Sequence, residues 1–255
     1  MTGTLVHVER EGGVGRILLD RPPLNVLDLA MMAQLSAGVR RLGADPKVRV
    51  VVIAGAGKAF CAGVDVADHS ADRVEAMLDR FHGAIRDLLA LEQPVVGLVH
   101  GAAVGGGCEL ALACDIVLAR EDATLGQPEV RLGVFPPVAA ALLPRLVGRQ
   151  RALDLVLSGR TFGAEAARSM GLVSEVFPAD RWQEATQDWV EGMAALSGSA
   201  VRLAKRAVTG GLDLPFAAAL SFAEELYLRE LMATADAQEG IAAFLQRRKP
   251  VWQEV

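Results

Sequence analysis

Two acids twenty positions apart, Glu109 and Glu129, each stand next to glycine-rich sequence. A pair of carboxylates can both remove and deliver a proton when the chain brings them to one place. Glu109 ends the string His100-Gly-Ala-Ala-Val-Gly105-Gly106-Gly107-Cys108-Glu109, in which a strand runs into consecutive glycines and then a short helix. With no side chains in the way, the N–H groups at such a helix start can hold an anion or a developing oxyanion. Glu109 falls in the first helical turn, where a carboxylate is also stabilised by the helix dipole without any catalytic duty. A second glycine site, Gly55-Ala-Gly57-Lys58-Ala-Phe60-Cys61-Ala62-Gly63-Val64-Asp65, follows an apolar strand. It has neither the GxxxxGK[ST] spacing of a phosphate loop nor the GxGxxG of a dinucleotide turn. What remains is a tight turn in which Ala62 and Gly63 allow close backbone approach and the Val64 N–H is free to donate. The third segment, Leu125 to Pro137, is a Gly- and Pro-punctuated loop that presents Glu129; by itself such a residue is an ordinary solvated carboxylate. A helix, a strand and a turn fit between the two acids, so the spacing allows them to share a pocket.

The 255-residue chain is 52% hydrophobic and carries 26 basic against 31 acidic residues. A chain of this length buries about 70 to 75% of its unfolded surface and holds a core without disulfides. Its acidic balance and lack of a basic run predict no nucleic-acid and no membrane partner. Three cysteines, Cys61, Cys108 and Cys114, without a CxxC spacing, indicate neither a disulfide framework nor a zinc site. Glu9, Arg10 and Glu11 stand where a secretory signal needs its apolar region, so the expectation is a mature start and a reduced, cytoplasmic protein. Gln93 to Cys108, the longest uncharged stretch, has 16 residues with five glycines, too short and too glycine-rich to span a bilayer.

The elements that must position these residues follow from the apolar pattern. Leu5 to Asp20 reads as two strands joined at Gly12 and Gly13, and a helix after Asn25 or Asp28 runs to about Leu42. Val48 to Ala54 is an unbroken apolar run of strand length. Val74, Met77, Phe81, Ile85 and Leu88 form a helical stripe, and Val95 to Val99, Ile116 to Ala119 and Leu172 to Val176 read as strands. This alternation predicts an α/β fold with crossover connections. After Arg181 nearly everything is helical, with Trp182, Ala185 and Trp189 on one face and Phe216, Leu220, Ala223 and Tyr227 on another, a tail suited to covering a neighbouring subunit.

Taken together, Ala-Phe60-Cys-Ala-Gly63-Val64-Asp65, Gly105-Gly106-Gly107-Cys108-Glu109-Leu and Gly126-Gln127-Pro128-Glu129 resemble the enoyl-CoA hydratase/isomerase (crotonase) family. The ending Ala-Phe244-Leu-Gln-Arg247-Arg248-Lys249-Pro is similar to the family's C-terminus, and the resemblance covers essentially the whole chain. It implies a spiral of β-β-α turns over residues 1–195 and a helical oligomerisation domain over 196–255, assembling as a homotrimer or a hexamer built as a dimer of trimers. The resemblance makes the N–H groups of Val64 and Gly106 the oxyanion hole for a thioester carbonyl. Each such donor is worth about 2.7 to 4 kcal/mol, which makes proton transfer at the neighbouring carbon feasible without a metal or any cofactor beyond the coenzyme A of the substrate. Relatives with both acids hydrate a 2-enoyl-CoA, and by analogy Glu109 activates water while Glu129 protonates C2. Ala62, Asp65, Val66 and Gly105 are carried over as substrate and CoA contacts, and Lys58, Arg247 and Lys249 as candidates for the CoA phosphates, the last two from a neighbouring subunit.

The sequence departs from many hydratases after Gly133, where Val134-Phe135-Pro136-Pro137-Val138-Ala139 replaces a glycine-rich continuation. This string is similar to that of hydratases acting on cyclic dienoyl-CoA thioesters and makes Pro136 part of an acyl-pocket wall. Pro136 and Pro137 also suit the first turn of a helix. Two other readings stay open: a double-bond isomerase, which needs no attacking water, and a non-catalytic CoA-thioester-binding or assembly protein on the same fold. The cysteines read as buried structural thiols, and His100 as a packed core residue.

Overall fold

The computed structural model describes residues 3–253. It begins with a hairpin, β1 (Val6–Glu11) and β2 (Val14–Leu19), closed through Gly12 at φ +55°, a conformation favoured in two-residue hairpin loops. Helix α1 (Leu29–Gly43) starts where the Asp28 carboxylate accepts the Met31 N–H at 2.8 Å, as expected of an N-cap. Then follow β3 (Val50–Gly55), α2 (Val74–Leu89), β4 (Val95–Val99), β5 (Ala102–Val104) and α3 (Gly106–Leu112). The chain continues through β6 (Ile116–Arg120), β7 (Thr124–Gly126), a 3-10 turn over Pro128–Leu132, α4 (Pro137–Val147) and α5 (Arg149–Ser158). β8 (Thr161–Gly163), α6 (Ala164–Met170), β9 (Glu175–Phe177) and α7 (Trp182–Ala194) complete the core.

Two sheets organise these pieces. The larger has the order β1-β2-β3-β4-β6-β9, parallel throughout except for the hairpin, and the smaller has the order β5-β7-β8. β3 and β4 are apolar along their length because both faces of the larger sheet are covered. One face packs Ile17, Ile53 and Val99 against Met32, Leu35, Phe81 and Leu88 of α1 and α2. The other packs Val50, Val52, Val96 and Leu118 under α7, with Val190, Trp182 and Trp189.

The chain repeats one path: a strand in the larger sheet, a strand in the smaller, then a helix. β4, β5 and α3 make one such turn, and β6, β7 and α4 the next. In the turn that contains β3 and α2, a single residue takes the small-sheet place: Cys61 pairs parallel with Ala103 of β5, which pairs in turn with Leu125 of β7. Cys61, Ala103 and Leu125 thus form a row across three stacked turns of a β-β-α spiral, the expected architecture.

Of the two helix starts allowed by the sequence, Asn25 and Asp28, the structure takes Asp28; the helix over the Val74 stripe forms at the expected place, and Pro137 begins α4. The apolar run Leu172 to Val176 behaves differently. Leu172 and Val173 are buried in the turn after Gly171 ends α6, and the strand occupies Glu175–Phe177. After residue 195, α8 (Gly198–Gly211), α9 (Phe216–Glu225), a π-helical continuation over Leu226–Glu230 and α10 (Ala235–Leu245) pack mainly on one another. Lys205 ties α8 to the core through the Asp115 carboxylate at 2.6 Å and the Gln93 carbonyl at 3.0 Å, and Trp252 donates to the Ala195 carbonyl at 2.8 Å. Among the described residues no helix is long and apolar enough to cross a membrane.

The turns are stacked so closely that a methyl group at Gly107 would lie 2.0 Å from the Cys61 carbonyl oxygen. Gly83, inside α2, faces open space. Thermal unfolding of Gly107→Ala should show a loss of at least several degrees or no folded protein, whereas Gly83→Ala should gain about 0.5 to 1 kcal/mol from helix propensity. Equal stability for the two variants would contradict this stacking.

Candidate active site

The row Cys61–Ala103–Leu125 sets the position of everything downstream of it. Val64 lies three residues beyond Cys61, Gly106 three beyond Ala103, and Pro128, followed by Glu129, three beyond Leu125. Cys61 donates its N–H to the Ala102 carbonyl at 3.0 Å and accepts from the Val104 N–H at 3.2 Å, and Gly105 donates to the Gly126 carbonyl at 2.9 Å. The three chemistry-bearing segments therefore leave the small sheet side by side.

The two glycine corners touch. A methyl group at Gly106 would lie 3.5 Å from the Val64 nitrogen, and one at Gly63 would lie 3.8 Å from the Gly106 nitrogen. Gly106 is the first residue of α3, so its N–H has no intrahelical partner. Among the described residues no acceptor is seated on the Val64 N–H. Two unclaimed donors side by side can hold one oxygen between them. Gly105, at φ +56°, must remain glycine for a second reason: a methyl group there would lie 2.8 Å from Oε1 of Glu129.

That contact shows where the acids stand. Glu109 on α3 and Glu129 on the 3-10 turn line one cavity of about 410 Å3, whose wall also includes Ala62, Val64, Val66, Gly105, Gly106 and Pro136. Glu109 is only 3% exposed, and its Oε1 accepts the Ala139 N–H at 2.8 Å, a contact that a residue-by-residue reading does not reveal. Burial, with a smaller contribution from the nearby Glu129 charge, pushes the Glu109 carboxyl up to about 7 against the pull of the Ala139 bond. Burial also raises Glu129 above the usual carboxylate range. With its amide turned so that the nitrogen faces the carboxylate, buried Gln127 donates to both Glu129 oxygens at 3.2 Å. The motif put Gln127 two residues from Glu129, but its orientation is a product of the 3-10 turn.

The apolar wall is built from two directions. Met77, Leu78 and Phe81 come from α2, Val134, Phe135 and Pro136 from the segment before α4, and Pro137 from its first residue. His69 and His82 also border the cavity, and neither was singled out as a site residue from the sequence. Other carried-over positions lie outside the wall. Asp65 turns its carboxylate back to the Ala67 N–H at 3.1 Å and towards Arg21 at 3.5 Å; Lys58, Arg247 and Lys249 are exposed and do not line the cavity of their own chain. Cys61 and Cys108 are buried beside the site, with burial pushing each thiol up to about 12, far from a thiolate at neutral pH. His100 is packed, its Nε2 3.1 Å from the Gly57 carbonyl. Among the described residues no group of three or more His, Cys, Asp or Glu side chains is placed to hold a metal ion.

Comparison with known proteins places this geometry in a family. The profile described as enoyl-CoA hydratase/isomerase matches residues 9–255. A probable enoyl-CoA hydratase of Rhizobium meliloti is 41% identical over 245 residues, 95% of each chain. The cyclohexa-1,5-dienecarbonyl-CoA hydratase of Thauera aromatica is 38% identical over 248 residues, 97% of this chain and 96% of that protein. The 1.8 Å crystal structure of an enoyl-CoA hydratase from Bacillus anthracis superposes with a TM-score of 0.94 at 33% identity, covering 99% of this chain and all of that one. With its stacked β-β-α turns and its whole length matched, the chain belongs to the enoyl-CoA hydratase/isomerase family.

Proposed function

We propose that this chain is an enoyl-CoA hydratase that adds water across the conjugated double bond of an acyl-CoA thioester. The observation that carries the reading is the meeting of two unclaimed main-chain donors, the buried Glu109 and the half-buried Glu129 at one apolar cavity. In this reading the N–H groups of Val64 and Gly106 hold the thioester oxygen. As the oxygen of water bonds to C3, the C2–C3 π electrons shift through C2 towards the thioester oxygen and form an enolate. Glu109 takes the proton from the water, its Oε1 fixed by Ala139 so that the other oxygen is left for the nucleophile. Glu129 delivers a proton to C2 as the enolate collapses, and the net change is the addition of one water. A site with a single acid would suit proton shuttling between carbons, so the presence of both favours hydration over isomerisation.

The wall before α4 supports a finer assignment. Phe135, Pro136 and Pro137 form a stiff boundary that suits a flat, six-membered acyl ring better than a flexible chain, and a relative of comparable identity is named for a cyclic dienoyl-CoA. In this reading Ala62, Val66 and Gly105, which line the cavity, receive the pantetheine arm, Asp65 and Lys58 belong to the same corner, and Arg247 and Lys249 meet CoA phosphates from a neighbouring copy. Phe216, Leu228, Phe244 and Leu245 are between 68% and 84% exposed on the C-terminal helices. Apolar surface of that extent supports assembly of this chain as a homotrimer or a dimer of trimers. The substrate supplies the coenzyme, and the chemistry calls on no metal.

Turnover in heavy-oxygen water should place the label in the product hydroxyl, and Glu109→Gln and Glu129→Gln should each lower kcat by about 10² to 10⁴. In the same assay a cyclic dienoyl-CoA should exceed linear enoyl-CoA thioesters in kcat/KM. Unlabelled product, or hydration that survives both substitutions, contradicts the hydratase reading. A linear-only preference contradicts the ring assignment alone.

The raised Glu109 carboxyl also has a stability consequence. A group held at about 7 in the folded protein and near 4.5 unfolded stabilises the fold most below its unfolded value, and that contribution is lost as pH rises through about 7. Glutamine keeps an acceptor for the Ala139 N–H but cannot ionise. Urea unfolding at pH 5 and pH 8 should therefore show the stability of Glu109→Gln relative to wild type rising by about 2.5 kcal/mol at the higher pH. A difference independent of pH would contradict the buried, coupled environment described for Glu109.

A further inference from the structure

We infer that the segment Arg21–Asp28 is a strap that aims the first oxyanion donor, and that Asn25 and Arg21 are positioning residues for the reaction although neither lines the cavity. The inference rests on the hydratase reading and extends it to residues 36 or more positions away from Val64 in sequence.

In the stacked spiral, the Gly106 corner is braced by the turn before it. The Val64 corner belongs to the first such turn and has no earlier turn beneath it; the strap takes that place. Leu27 pairs parallel with Val64, donating its N–H to the Gly63 carbonyl at 2.8 Å and accepting from the Asp65 N–H at 2.9 Å. In a parallel pair, the residue whose two neighbours are bonded turns its own N–H to the opposite side. Leu27 bonds the neighbours of Val64 and leaves the Val64 N–H facing away from the strap, on the side where the Gly106 N–H lies. Leu24 fixes the beginning of the same corner by accepting the Ala62 N–H at 2.9 Å.

Two polar side chains hold the strap in register. Asn25 is 1% exposed and sits at φ +55°, a conformation that asparagine tolerates better than most residues. Its Oδ1 accepts the Arg21 N–H at 2.9 Å, while its Nδ2 faces three carbonyls of the loop leading into the corner: Ala56 at 2.9 Å, Ala59 at 2.8 Å and Phe60 at 3.2 Å. One side chain thus closes the strap on itself and clamps it to the chain entering Cys61. Arg21 works from the other end. Its guanidinium donates to the Val26 carbonyl at 2.8 Å and reaches the Asp28 carboxylate at 3.3 Å and the Asp65 carboxylate at 3.5 Å, tying the strap to the residue after Val64.

Asn25→Asp preserves shape and the Arg21 contact but removes the donors to the three carbonyls. Arg21→Met keeps the apolar stem and removes the tie to Asp65. Both are to be compared with wild type by hydration kinetics and by the infrared carbonyl band of a bound thioester carrying 13C at the carbonyl. Because a misplacement near 1 Å costs about 10²-fold, Asn25→Asp should lower kcat by about 10- to 100-fold and Arg21→Met by about 3- to 10-fold. KM should stay within about threefold and the shift of the carbonyl band on binding should shrink in step with kcat. Circular dichroism and thermal unfolding count the folded molecules to which each rate is referred. A kcat per folded molecule within twofold of wild type in Arg21→Met, or a fall in kcat with an unchanged carbonyl shift in either variant, overturns the inference. Absence of a carbonyl shift in wild type itself would overturn instead the oxyanion reading on which it rests.

Discussion

Main-chain pairing between single residues of successive turns is the constraint on which the rest of this structure depends. Cys61, Ala103 and Leu125 form a row only three residues wide, and each later group takes its place by counting from that row. Two donors from separate corners arrive together because the counts agree. This is preorganisation in a strict sense: the N–H groups are aimed by hydrogen bonds already made elsewhere, so holding a charged oxygen requires little rearrangement when it forms. Glycine at 63, 105, 106 and 107 keeps the stacked corners from being forced apart, since a methyl group at any of the four would come within 3.2 Å of a neighbour.

Burial gives the same region its acid–base character. Glu109 sits in an almost closed environment, satisfied on one oxygen by Ala139, and is pushed up to about 7; Glu129, more open and cradled by Gln127, is also raised by burial. A carboxyl held at about 7, as Glu109 is, can take up and release a proton near neutral pH, whereas solvated carboxylates stay ionised. The helices α3 and α4 that carry the Glu109 side chain and its donor pack against each other, which couples the apolar cavity wall to the acid through a single stretch of chain from Phe135 to Ala139.

Much of this was legible in residue types. The apolar runs at Val50 and Val95 announced central strands because parallel strands covered on both faces need no alternation, whereas the start of α1 was narrowed only to Asn25 or Asp28, and it is the capping carboxylate of Asp28 that begins it. The glycine strings and the two acids marked the site. The three-residue strands β5, β7 and β8 were invisible as strands, being too short to show a period, and without them the row that aligns Val64 with Gly106 could not be read. Ala139 contributes through its backbone and has no sequence signature at all. Gln127 and Asn25 were in view as letters, but a buried amide is distinguished from an exposed one only by what surrounds it. Surface cations such as Lys58 and Lys249 read as phosphate partners from the family pattern, and the folded single chain leaves them away from the cavity wall.

The central claim is that one thioester oxygen is held between the amides of Val64 and Gly106 with both acids at the neighbouring carbons. It is tested most directly by a crystal structure of the protein with an unreactive acyl-CoA analogue. The account requires the carbonyl oxygen at about 2.7 to 3.1 Å from both nitrogens, with C2 and C3 facing Glu129 and Glu109. A well-ordered ligand whose carbonyl lies on side chains or solvent, away from either amide, would contradict it.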